Sequence, residues 1–468
     1  MNKISVWHVG VITVIISIIF FCNIISSFST NDNVFAFTWI GNFLFIYGLY
    51  VFNKKTGTNI NQYSLFWISW FLFSFGQCFL YSIGFQYKKF DLFSIYGADI
   101  IECYLLFFIF SSLMILTAGE LIIVPKNKIL NIKKYPQQFS DKSVKRVFWV
   151  LLFLSGSVLI PEIIEKSVVS QAYGYAQIYE DTNDTNTLVS SLSMLYIPSI
   201  FILITAYKSS KVRFFMLALL LIPVLGYLYV GTRSAPIGII LCFLYLWHIA
   251  IKPIRGKYLF IGILCIPLLF QLTSTIALIR SESDRSFVSM ADSLMMNDSL
   301  IDPIVNTLGE MGGSMQVWLR LQYLIPGQYD YGYGFSYLAA VLACIPSFLL
   351  GGFSFTTYAN LSSWITNVEG ENYGLGFSTL GEAYYNFGWF GIIFMFFVSC
   401  FIFYMLTGDF CSKRMIRYKP ALSAIVLYIF VTTGRNAMYL SIRYIVYSIM
   451  IPIIIISLID HRKRISKK

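Results

Sequence analysis

Long apolar runs recur from one end of the chain to the other, separated by short polar gaps. About 20 consecutive apolar residues suffice to cross a bilayer as a helix. The pattern predicts twelve spans: Ser5–Phe28, Val34–Phe52, Tyr63–Phe85, Ala98–Val124, Val147–Ile164, Leu188–Tyr207, Val212–Val230, Ser234–Ile251, Lys257–Ile279, Gly388–Leu406, Ala421–Thr433 and Ala437–Leu458. Only a short turn, Gly434 to Asn436, parts the last two. A thirteenth run, Phe335 to Leu350, is shorter and is broken by Pro346. It reads as a re-entrant or interfacial hairpin.

Composition strengthens this picture. The 468 residues are 57% hydrophobic and 12% charged, whereas a soluble domain carries about 25% charged residues. The expected fold class is an all-α polytopic membrane protein, a single integral membrane domain over 1–468. The first run follows Lys3 and has no small-residue cleavage site after it, so it reads as a retained helix. The 8 cysteines are scattered through apolar runs without a C-x-x-C pair. That spacing argues against a disulfide framework and against a zinc site.

Charge then sets orientation. Basic clusters occupy every second gap: Lys3; Lys54 and Lys55; Lys126 to Arg146; Lys208 to Arg213; Lys252 to Lys257; Lys413 to Lys419; and Arg462 to Lys468. The only acids in those gaps are Asp141, Asp409 and Asp460. Lys and Arg concentrate in cytoplasmic loops, so both termini are expected in the cytoplasm. The net charge of +11 is then a topology signal and gives no reason to invoke nucleic acid. No Lys or Arg falls between Arg320 and Lys413, which is why Phe335–Leu350 is not counted as a crossing. Residues 280–387 become one large extracytoplasmic loop, with the re-entrant segment near 335–350. There is no strong internal repeat, which weighs against transporters built from matching halves.

Nine basic residues remain off the cytoplasmic side: Lys88, Lys89, Lys166, Arg233, Arg280, Arg285, Arg320, Arg435 and Arg443. The lysines lie in short polar loops. Arg233, Arg280, Arg435 and Arg443 lie at outer ends of spans. Arg435 and Arg443 are eight residues apart, about 80° on one helix, so both can face one groove. Guanidinium suits bidentate phosphate binding, and a shared anionic ligand accounts for the set. The competing reading is snorkelling, or pairing with carboxylates on the same face. Those carboxylates include Asp99, Glu102, Glu162, Glu310, Glu369, Glu371 and Glu382. Glu310 and Glu382 lie among glycines, where backbones can approach closely. Either is a candidate general base, or an ion-pair partner for an arginine. Glu282 and Asp284 lie in a stretch of alternating charge that reads as a solvated loop. His8, His248 and His461 are all at cytoplasmic ends. Chemistry on the outer side is therefore expected to be metal-independent and cofactor-free. Outer tyrosines and tryptophans, among them Tyr323, Tyr329 and Trp364, suit sugar rings or an interfacial belt.

Four segments in this order on one face resemble the Wzy-type polymerases of bacterial surface polysaccharides. They are Gly231-Thr-Arg-Ser-Ala; Leu308-Gly-Glu-Met-Gly-Gly-Ser-Met through Pro326 to Tyr333-Gly-Phe-Ser; Gly376 to Gly391; and Gly434-Arg-Asn to Arg443. The resemblance covers roughly Gly231 to Tyr444. It implies a GT-C-like fold similar to polyprenyl-phosphate-dependent membrane glycosyltransferases. It also implies polymerisation of undecaprenyl-diphosphate-linked oligosaccharide repeat units into O-antigen or capsule-type glycan, with inversion, on the periplasmic face. The lipid-linked oligosaccharide serves as donor and acceptor, and a chain-length regulator and a flippase are implied partners. In this reading Arg233, Arg280, Arg435 and Arg443, with Arg320 as a further candidate, hold the diphosphate. Glu310 is the first choice of base and Glu382 the second. O-antigen ligase is an alternative, but that family uses an outer-loop histidine that this chain lacks. A lipid-linked oligosaccharide flippase is another. It should lack the long loop and carry charges in a central cavity.

Overall fold

The computed structural model describes residues 4–24, 30–124, 139–173, 191–232, 234–254, 256, 301–371, 374–411 and 415–465. Among them every regular element is helical. In chain order these are α1 (Val6–Ile24), α2 (Thr30–Thr56), α3 (Gln62–Ser82), α4 (Ala98–Ile122), α5 (Asp141–Tyr173), α6 (Tyr196–Ala206), α7 (Ser210–Val230) and α8 (Ser234–Ala250). Then come α9 (Ile301–Gly312), α10 (Gln316–Leu324), α11 (Phe335–Leu342), α12 (Leu361–Glu369) and α13 (Thr379–Phe387). The chain closes with α14 (Gly391–Leu406), α15 (Lys419–Phe430), α16 (Met438–Ile445) and α17 (Ile451–Ile465). Seven described helical stretches are long and apolar enough to cross a membrane, and four shorter apolar helices accompany them. The expected ninth span, Lys257–Ile279, lies outside the described residues, as do Arg233, Arg280 and Arg285.

Some helices run well past their apolar cores. The span expected at Val147–Ile164 is the middle of the 33-residue α5. Its polar second half holds together through Lys166 donating to Glu162 one turn earlier, at 2.6 Å, a favourable i,i+4 pair. Its start is capped from afar. Asp460 on α17 accepts the Ser140 N–H (2.9 Å) and the Ser143 hydroxyl (2.5 Å), which satisfies a donor that a helix N-terminus leaves open.

The core is a cluster of large aromatics where α2, α3, α4 and α14 meet, with Trp67, Phe52, Phe75 and Phe403 almost wholly buried. Lipid-facing positions carry side chains such as Phe153 and Phe214, each more than two-thirds exposed. Described basic residues of these clusters pair with acids, Lys55 with Glu120 (3.1 Å), Arg417 with Asp141, and Lys419 with Asp409. Glu120 belongs to a stretch read as span, yet its carboxylate reaches Lys55.

Two glycines set the approach of α9 to α3. A Cβ on Gly312 would stand 2.3 Å from the Gln77 nitrogen, and one on Gly76 would stand 2.6 Å from the Leu308 carbonyl oxygen. Gln77 closes the contact by donating to the Gly309 carbonyl at 2.9 Å. The glycines of Leu308–Met315 are therefore a helix-packing device. We expect Gly312→Ala to lower the melting temperature of the detergent-solubilised protein, with an overpacking cost of about 1–3 kcal/mol. Gly10→Ala is the control, because nothing lies within 4 Å of its added methyl.

Candidate functional site

At the end of the bundle opposite the ion pairs, α10 to α13 form a cover of short helices. The eight residues of α11 rise about 12 Å, less than half of the roughly 30 Å hydrocarbon core. The chain then turns through Ala343–Pro346, and the short turn of helix at Thr356–Ala359 packs back onto α11.

Glu382 joins three of these segments. Its side chain is wholly buried. Oε1 accepts from the Ser336 hydroxyl on α11 (2.8 Å), and Oε2 accepts from the Met438 N–H, the first residue of α16 (2.7 Å). Asn386, one turn along α13, donates to Ser336 Oγ and to the Glu382 carbonyl, both at 2.8 Å. Its own oxygen accepts from the Gly334 N–H at 2.9 Å. A carboxylate at a helix N-terminus meets both an open donor and the positive end of the helix dipole. α13 ends at Gly388, whose φ of +55° is one that a side chain would strain, and the chain turns there into α14.

The strand-like segment before α13 is stitched to the loop before α16. Phe377 N–H donates to the Arg435 carbonyl (3.1 Å), and Thr379 donates through its N–H (3.1 Å) and its hydroxyl (2.9 Å) to the Thr433 carbonyl. The Gly376–Gly391 and Gly434–Arg443 motifs are thus one unit in space.

Arg435 and Arg443 differ from expectation in one respect. α16 begins only at Met438, after Ala437 as its cap. Arg435 lies in the preceding turn, held by its N–H to the Thr432 carbonyl (2.9 Å), and is exposed. The helical rotation that would bring the two side chains onto one face therefore does not apply. Arg443 is 6% exposed. It donates to the Tyr439 hydroxyl and to Ser191 Oγ, each at 2.8 Å. Its guanidinium also lies 5.5 Å from the Tyr439 ring centre and 6.0 Å from that of Tyr447, within cation–π range. Tyr439 in turn packs on Ala339, Ala340 and Ala343 of α11.

Arg320 has a different setting. On α10 it donates to Glu369 Oε2 (2.9 Å) and Glu371 Oε1 (3.0 Å). Burial pulls its pKa down, but the two carboxylates outweigh that and hold it above the usual value. Glu310 is half-buried on α9. Its neighbours Gly309 and Gly312 face Tyr87 and α3.

An apolar groove of about 1100 Å³ runs between α14 and α16–α17. Its lining extends from Val341 and Met438 to Asp409, and includes Ile449 and Met450 from a π-helical turn at Val446–Met450. Such turns are frequent at functional sites.

Sequence reasoning does not single out Ser336, Asn386 or Tyr439. Asn386 and Tyr439 leave a trace: each is four residues from a charged partner, the spacing of one helical face. Ser336 ends the Tyr333-Gly-Phe-Ser segment but has no partner at helical spacing, because its contact spans 46 residues.

The sequence model of the family described as O-antigen polysaccharide polymerase Wzy matches residues 11–464. Comparison with curated proteins gave no match, and neither did comparison with solved structures.

Ser336→Ala removes the Glu382 and Asn386 bonds together and leaves buried polar groups without this partner. The expected loss is about 1–3 kcal/mol, seen as earlier thermal unfolding and as faster proteolysis of the 330–350 segment. Unchanged behaviour would mean that the three-segment junction does not hold α11 in place.

Proposed function

Because the chain belongs to the O-antigen polysaccharide polymerase Wzy family, a membrane glycosyltransferase-like family, we propose that it joins undecaprenyl-diphosphate-linked repeat units by single displacement on the periplasmic face. The family match over nearly the whole chain carries this reading. The fold is taken to be GT-C-like, both termini are taken to be cytoplasmic, and the bilayer is taken to be the bacterial inner membrane.

In this mechanism an acceptor hydroxyl attacks the anomeric carbon of the donor sugar. The bond from that carbon to the diphosphate breaks as the new glycosidic bond forms, so configuration inverts. The acceptor proton passes to a carboxylate, and undecaprenyl diphosphate departs with the electron pair. The reaction asks the protein for preorganised positive charge at the leaving group and for a base near the acceptor. A diphosphate is already a good leaving group, so neither a metal nor a cofactor is part of the proposal.

Arg443 is the leading candidate for the diphosphate. It is buried, it donates to two neutral hydroxyls, and each hydrogen bond it makes to a charged oxygen is worth about 1.5–3 kcal/mol. Arg435, exposed on the adjoining turn, is the second. Arg233 and Arg280 retain this role from the sequence pattern. Arg320 suits it least, because Glu369 and Glu371 already occupy its guanidinium. Glu310 is the preferred base. Full burial and two occupied oxygens favour a positioning role for Glu382. The apolar groove beside α16 is a fitting seat for the polyprenyl chain. From Met438 to Ile454 its wall rises about 24 Å, most of the hydrocarbon depth.

Deletion of the gene is expected to leave surface glycan carrying a single repeat unit, read as loss of the ladder on a gel. Absence of all surface glycan would sink the reading, since a ligase or flippase defect gives that result. In the complemented deletion strain, Arg443→Lys should abolish most of the ladder, because a point charge cannot reproduce planar bidentate contacts. Glu310→Gln should do the same, while Glu382→Gln, which keeps an acceptor for the Met438 N–H, should retain chains of near-normal length. Full ladders from Glu310→Gln would remove Glu310 as the base.

A further inference from the structure

A second polar cavity lies away from Arg443. It measures about 470 Å³ and is bounded by Tyr96, Arg320, Tyr323, Gln328, Tyr329 and Glu369. That volume is within the roughly 300–1,000 Å³ of small-ligand sites. Three features define its chemistry. The first is aromatic. The Tyr96 and Tyr323 rings stand 6.1 Å apart and tilted by 33°, while Tyr329 is braced edge-on against Trp364 at 5.6 Å. Tyr323 is 54% exposed and Tyr329 is 41% exposed, so both present ring surface to an incoming ligand.

The second feature is charge. One guanidinium faces two carboxylates, Glu369 and Glu371, so the cluster carries a net negative charge and disfavours a phosphate. The third is hydrogen-bonding capacity. The Arg320 bond to Glu369 uses Oε2, which leaves Oε1 as an acceptor. The Gln328 amide and the tyrosine hydroxyls add both donors and acceptors. Rings with an apolar face and a polar tip, next to fixed planar charged groups, suit a polyhydroxylated ligand. Its C–H faces lie on the rings and its hydroxyls reach the edges.

We propose that this cavity is a saccharide subsite that grips sugar residues of the repeat unit remote from the diphosphate. The proposal rests on the polymerase reading above. Binding energy gathered on remote sugars positions the reacting ends, so the subsite acts on acceptor or donor specificity and not on bond breaking.

The test uses the full chain in nanodiscs. The probe is the free repeat-unit oligosaccharide released by mild acid from the host's own surface glycan, and binding is followed by saturation-transfer NMR and titration calorimetry. Saturable binding is expected, with contacts to aromatic protons. Tyr323→Ala and Tyr329→Ala should each weaken it about five- to tenfold, the size of a lost aromatic contact. Tyr323→Phe, which keeps the ring, should bind nearly as wild type does. Gly10→Ala, whose added methyl meets nothing within 4 Å, should leave saccharide binding unchanged, and inorganic pyrophosphate should not compete. No binding by wild type, equal binding by the two tyrosine-to-alanine variants, or displacement by pyrophosphate would each overturn the subsite. The glycan ladder made by the wild-type gene in the deletion strain reports separately on the polymerase reading. A normal ladder without saccharide binding rejects the cavity alone.

Discussion

One buried carboxylate governs the arrangement at the candidate site. A carboxyl group taken out of water costs free energy unless hydrogen bonds replace its hydration. Glu382 obtains those bonds from Ser336 on α11 and from the first N–H of α16. It is therefore satisfied only when α11, α13 and α16 are all in place. The requirement spreads outward. Seating α16 fixes where Tyr439 and Arg443 point, and the Phe377 and Thr379 bonds to the loop before α16 fix the turn that carries Arg435. A short helix such as α11 has too few turns to be stable alone, and it keeps its place through this junction and through the alanine face packed on Tyr439.

The opposite end of the bundle solves a different problem with different means. There Lys55–Glu120, Arg417–Asp141 and Lys419–Asp409 join neighbouring segments, and Asp460 caps α5 from the adjoining α17. The part-exposed Arg417–Asp141 and Lys419–Asp409 pairs contribute little each, about 0–1 kcal/mol. The value of Lys55–Glu120 and Arg417–Asp141 is in register, because each joins residues far apart in the chain. The partially buried Lys55–Glu120 pair also explains how an acidic side chain can sit at the end of an otherwise apolar helix.

Helix positions were largely legible because apolar runs of membrane length have few other uses. The ends were less so. α5 outruns its apolar core through a local Lys166–Glu162 pair and a remote cap, and only the first has a sequence signature. The start of α16 falls within one residue of the Ala437 expected from the apolar pattern, but what satisfies its first N–H has no local signature. Its cap is not a neighbouring Ser or Asp but Glu382, 56 residues earlier, so local capping rules find nothing at Arg435. The glycines around Glu310 illustrate a second limit. Gly in an apolar stretch signals close approach without saying of what, and here the partner of Gly312 is the backbone of α3.

The arginines that looked equivalent in the sequence are separated by what surrounds them. A guanidinium between two carboxylates, as at Arg320, has its field largely cancelled and keeps only its geometry, five donors in a fixed plane. At Arg443 the described contacts include the Tyr439 and Ser191 hydroxyls and two tyrosine faces, in a buried setting where charge acts more strongly than in water. Counting cations on one face of a membrane protein therefore overstates the anion site. Carboxylates on the same face lower the charge that a neighbouring cation presents to an anion. A lipid-linked glycan contains both anionic and hydroxyl groups, and a protein handling one gains by keeping the two environments apart, so that the sugars do not compete for the charge that the leaving group needs.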